Sequence, residues 1–127
     1  MADYTPIFAG VAPFTATTAG AVVGGNVLIW SASGVVTVSG ADSTAVCGVA
    51  AQDAASGARV SVWPIEGCIH ELVASGAITA LAGVVSDAAG QVKTATIATA
   101  AAAATLIGTA ATTAAGSPLK LRVQGRR

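Results

Sequence analysis

The sequence predicts a mainly β protein: a small single-domain β-barrel or sandwich built from two similar β units, with an extended N-terminal arm and at most one short helix. Three observations carry that expectation. Short apolar runs are cut by turn clusters about every 8–12 residues, the spacing of an all-β sandwich or barrel. Two segments alternate strictly with period two. In Ala58 to Trp63, Val60 and Val62 oppose Arg59, Ser61 and Trp63; in Leu119 to Gln124, Leu119, Leu121 and Val123 oppose Lys120, Arg122 and Gln124. Finally, the pattern of the first half returns in the second.

In chain order, residues 1–20 stand apart. Tyr4 to Phe8 and Ala12 to Phe14 hold both phenylalanines, the one tyrosine and two of the four prolines. Proline donates no ladder hydrogen bond and biases its predecessor towards extended backbone. This stretch is expected to be an extended arm docked on a surface, not a central strand. Its large apolar side chains, Tyr4, Pro6, Ile7, Phe8 and Phe14, are candidate partner contacts.

A single β domain is expected over residues 21–127. Val22 to Trp30 is an apolar run broken by Gly24, Gly25 and Asn26; Ser31 to Gly34 is a turn, and Val35 to Val38 a strand. A polar loop, Ser39 to Thr44, leads to a strand from Ala45 to Gln52. The turn Asp53 to Gly57 then opens the alternating strand that ends at Trp63. Gly48 to Val62 resembles Gly108 to Val123, each a strand, a small-residue turn and an alternating strand with an arginine. Ser31 to Val36 likewise matches Asp87 to Val92. These matches define repeat-like units at 22–62 and 78–123. Ala98 to Leu106 is the helix candidate; its alanines favour helix, its length and flanking Thr and Ile allow a turn or two.

Composition excludes several functions. The chain has 127 residues, net charge +0 and 9% charged residues, so it lacks the clustered Lys and Arg that nucleic acid requires. Two cysteines are too few for a disulfide scaffold, and free thiols are expected. Met1 to Tyr4 lacks the basic and apolar regions of a signal peptide. Thr94 to Ser117 is uncharged and long enough to span a bilayer, but Ala, Thr and Gly carry little insertion energy, so no membrane partner is expected.

The one dense reactive cluster is Glu66 to Glu71. Cys68 and His70 share a strand face, yet nothing orients the pair as a nucleophile and base. Cys47, Cys68 and His70 lack the paired spacing of a zinc site. No catalytic residue, metal or cofactor is expected, and the cluster reads as a strand with a polar outer face. Gly20 to Gly25 has neither dinucleotide-fingerprint nor P-loop spacing. Arg122, Arg126 and Arg127 form the basic cluster, a solvated tail or a contact with an acidic partner surface. Trp30 and Trp63 complete the candidate contacts.

Gly48 to Val62, Ala74 to Ile78, Val85 to Val92 and Ile107 to Ala111 resemble the capsid cement, or head decoration, proteins of tailed phages. Val46 to Ala74 is also similar in layout to the decoration proteins of lambda-like phages. The resemblance implies a small β-tulip-like domain on the exterior of the phage head, synthesised in the host cytoplasm. It further implies contact with the major capsid protein, a homotrimer at three-fold and quasi-three-fold positions, and terminal arms that cross subunit boundaries. An adhesin or fibre-type β module is the alternative, and a small Cys–His enzyme a third.

Overall fold

The computed structural model describes residues 4–117 and 119–125. The first five-stranded sheet is a closed barrel. Its strands are β2 (Phe14–Thr18), β3 (Val27–Ala32), β4 (Val35–Val38), β5 (Val46–Ala50) and β6 (Arg59–Trp63), in the order β2-β4-β3-β5-β6. The ring closes through β2, which runs parallel to β4 at Thr17↔Val35 and antiparallel to β6 at Ala16↔Val60.

The second half repeats this plan with β7 (Cys68–Val73), β8 (Gly83–Ser86), β9 (Val92–Ala95), β10 (Leu106–Ala110) and β11 (Lys120–Gly125). They lie in the order β7-β11-β10-β8-β9. Each strand takes the place of its counterpart from β2 to β6, and every pairing recurs. The parallel closure returns as the bridge Ala74↔Val92, and the antiparallel bridge Val22↔Ala54 as Ile78↔Ala114. One two-residue strand, β1 (Phe8–Ala9), is added to the edge of β7 at Phe8↔Ile69.

Glycine makes the repeat physical. A Cβ on Gly48 would overlap the Trp63 carbonyl oxygen, and one on Gly108 would overlap the Gln124 carbonyl oxygen. The same strand crossing is therefore closed by the same missing side chain in both units.

Two expectations need correction. Residues 1–20 do contain a central strand, β2, with neighbours on both sides. Pro13 precedes the strand, where its missing N–H costs no ladder bond, and Ala16 and Thr18 face inward. Each unit also begins one strand earlier than the repeats at 22–62 and 78–123, because β2 closes the first barrel and β7 takes the corresponding place in the second sheet. The short helix, α1 (Ile97–Ala102), ends at Ala103, after which Ala104 turns to φ 60°.

Two apolar clusters tie the units into one body. Ala16, Val22, Leu28, Val36, Ala50, Val60 and Val62 fill the first barrel. Val27, Val46 and Val49 point the other way from β3 and β5. They join Ile65, Leu72, Ile78, Val84, Ile107, Leu121 and Val123 in a second cluster. The outer wall of the first barrel is thus part of the core of the second unit.

Candidate interaction surface

The N-terminal segment is a strap across both units. The Tyr4 N–H donates to the Ala51 carbonyl, and Trp63 Nε1–H donates to the Tyr4 carbonyl at 3.2 Å, both in the first unit. In the second unit, Ile7 N–H donates to Ile69 O at 2.9 Å, and Gly10 N–H to Gly67 O at 2.8 Å. Pro6 is buried beneath this run.

The Tyr4 hydroxyl reaches His70, whose ring it stacks against with centroids 5.7 Å apart. It accepts from Glu71 N–H at 3.1 Å and lies 2.7 Å from His70 Nδ1. His70 Nε2 lies 2.8 Å from the Pro64 carbonyl, which can only accept. Nε2 therefore carries the ring proton, and Nδ1 accepts from Tyr4. Burial holds the His70 pKa below its ordinary value, against the opposing pull of the Pro64 carbonyl. Burial also holds the Tyr4 phenol well above its own.

Cys68 and His70 do share a strand face, but it is the inner face, with Leu72; Ile69, Glu71 and Val73 are the residues that look outwards. Of the cluster's polar side chains on β7, Glu71 is therefore the one on the outer face, and His70 lies inside. Alternation was read correctly, but its phase depends on Tyr4, which satisfies His70 inside. Burial raises the Cys68 thiol, and both His70 nitrogens are occupied by Tyr4 and Pro64. Such a pair stores neither a thiolate nor a free base. Cys47 is pushed up to about 12 by burial, and both cysteines are free thiols. No group of three potential metal ligands lies together among the described residues, and no helix there is long and apolar enough to cross a membrane.

The expected contact residues divide into two sets. Tyr4, Pro6 and Trp63 are spent inside the chain. Ile7 and Trp30 remain 47% and 42% exposed, joined by Val11 at 44%, which sequence reasoning missed. Phe14 stacks on Trp30 with centroids 5.7 Å apart, so the pair forms an aromatic platform on the first barrel. Val11 lies beside Gly67, and a cleft of about 220 Å³ is lined by Gly67, Cys68, Ile69, Gln124 and Gly125. Arg126, Arg127 and the side chain of Phe8 lie outside the described residues. The outer side of the strap and the aromatic platform thus carry large apolar groups with little charge around them. That arrangement suits docking to another protein surface.

A sequence model described as phage cement protein matches residues 34–125. Among solved structures, the chain is similar to the head fiber gp8.5 N base in bacteriophage phi29. The TM-score is 0.62 at 17% identity, over 91% of this chain and 96% of that one. At that identity the likeness is one of fold. No curated protein matches the sequence.

Proposed function

From the premise that the chain belongs to the phage cement protein family, a family of structural phage head proteins, we propose that it decorates the exterior of the assembled capsid. There it binds the major capsid protein and stabilises contacts between neighbouring subunits. The family match over residues 34–125 carries this reading. The exposed apolar groups of the strap and platform support it. On this reading the protein acts as a homotrimer at three-fold and quasi-three-fold positions, has no catalytic task, and reaches the virion from the host cytoplasm.

Ile7, Val11 and Trp30 form the proposed capsid contact. They are 47%, 44% and 42% exposed, so replacing them disturbs the fold little. The test is co-sedimentation of purified protein with expanded phage capsids. Wild type is expected to pellet with capsids, and Ile7→Asp with Val11→Asp to bind at least about tenfold more weakly, a loss of about 1.4 kcal/mol. Wild type left in the supernatant refutes capsid binding. Unchanged affinity of the double variant refutes this contact. The fibre-type alternative has one observation on its side, the fold shared with a head fiber base. Electron microscopy of decorated capsids separates the two, showing low knobs for cement and long projections for a fibre.

A further inference from the structure

The two units share one strand plan, but their corresponding surfaces are not used alike. In the first unit, the turn Val23 to Asn26 closes with Asn26 N–H donating to Val23 O at 3.0 Å, and Gly25 takes φ 92°. This turn meets the second unit at Gly90, where a Cβ would lie 2.8 Å from Asn26 Cβ. With Glu71, Val73 and Lys120 it borders a cleft of about 160 Å³. The Tyr4 ring fills the space beside Gly25, 3.8 Å from where a Cβ would stand.

The counterpart turn in the second unit is Thr79 to Ala82, closed by Ala82 N–H donating to Thr79 O at 3.1 Å. Leu81 occupies the position of Gly25, at φ 75°, and its side chain is 78% exposed. A leucine in the left-handed region is strained, and exposure recovers none of that cost within the chain. The corresponding surface of the first unit is vacant as well. By strand register, Thr15, Thr17, Gly34 and Arg59 stand where Glu71, Val73, Gly90 and Lys120 stand in the second unit. All four are exposed, and nothing lies within 4 Å of a Cβ on Gly34.

The described residues therefore contain one turn set against a glycine of the other unit, Asn26 on Gly90, and one corresponding turn and glycine, at Leu81 and Gly34, that do not meet within the chain. We propose that copies of this protein associate head to tail, the Thr79–Ala82 turn of one copy placing Leu81 on the Thr15, Thr17, Gly34 and Arg59 seat of the next. At the internal joint glycine makes room for the Tyr4 ring; at the free joint Leu81 itself supplies the apolar bulk. A head-to-tail contact forms a ring when its rotation closes and a filament when it does not. The inference rests on the self-association proposed above and is independent of capsid binding.

Sedimentation equilibrium of the full chain, without capsids, tests it. Wild type is expected to associate with rising concentration. Leu81→Lys, which sets a cation against Arg59, should raise the dissociation constant at least about tenfold. Adding Arg59→Glu to that variant should restore most of the affinity. Leu81→Gly, which copies the first unit's turn, should weaken association about tenfold with its melting at low concentration no lower than that of wild type, since glycine relieves the strain at φ 75°. A wild type that stays monomeric at about 1 mM overturns self-association and this contact together. Association left unchanged by both Leu81 variants overturns the contact alone. Weakening by Leu81→Lys without rescue by Arg59→Glu overturns the pairing of turn and seat.

Discussion

Tyr4→Phe removes one oxygen atom and tests how the strap is held. The ring remains, and with it the stacking on His70 and the apolar burial. Two partners are orphaned, the Glu71 N–H at 3.1 Å and His70 Nδ1 at 2.7 Å. Leaving a buried polar group unpaired costs about 1–3 kcal/mol. With Glu71 only half-buried, about 2 kcal/mol is the expected total for the two. For 127 residues, at about 2.1 cal/mol/K of unfolding entropy per residue, that lowers Tm by about 7 °C. The pH dependence gives a second readout. His70 has a lowered pKa, so it contributes stability that is whole above its ordinary 6.5 and is lost as pH falls towards the folded value. The wild-type slope in that window is about 1.4 kcal/mol per pH unit. In Tyr4→Phe, Nδ1 no longer accepts a bond that only the neutral ring can take, so the folded pKa rises and the slope softens. Calorimetry at pH 7.5 and 5.5 should therefore show a penalty that shrinks with acidification. A Tm change under about 1 °C at pH 7.5 refutes the two-bond account of the hydroxyl. A penalty that stays constant between the two pH values refutes His70 as the acceptor.

Other outcomes follow from the same geometry. Gly48→Ala drives a Cβ into the Trp63 carbonyl and to 2.6 Å from Val62 Cγ1. It should cost about 3 kcal/mol, the upper end for overpacking, in a denaturant melt. Gly40→Ala, with nothing within 4 Å of the new atom, should leave the melt unchanged. Cys47, pushed up to about 12, should react with a thiol reagent at pH 8 more than about a hundredfold slower in the native protein than in denaturant. Asp87 accepts from Ser75 Oγ at 2.5 Å and from Ala88 N–H at 2.8 Å, which lowers its carboxyl. Its contribution is present above 3.8 and lost as pH falls further, so Asp87→Asn should flatten the acid limb of stability only below that value.

The fold was legible where it is written locally. β6 and β11 show their inward valines and leucine by alternation, and the turn at Ser31 to Gly34 by its residues. The duplication showed because Gly48 and Gly108 answer one steric demand at equivalent crossings. What stayed hidden depends on distant partners. Nothing near His70 announces that a tyrosine 66 residues away satisfies it, so local alternation shows that Cys68 and His70 share a face of β7 but not that the face is the inner one. β2 was missed because Phe14–Thr18 is mostly threonine and follows a proline, and its parallel partner β4 lies beyond another strand. The seat and the free turn carry no local signature: Gly25 and Leu81 become comparable only once both sheets are formed.

The strap has a consequence for the order in which the protein assembles itself. Tyr4 to Ala9 is synthesised before all of its partners, most of which lie in β7, and β7 takes β11 as its ladder neighbour. The first barrel has all its strands once Trp63 has emerged. At about 5–20 residues per second, the remaining chain takes several seconds more to appear. Through that interval the strap waits unlaced beside a closed barrel. It binds fully only after β11 has set β7 in place. Such long-range closure is slow, and it makes lacing of the strap a late phase of folding that a Tyr4 or Trp63 fluorescence signal should follow.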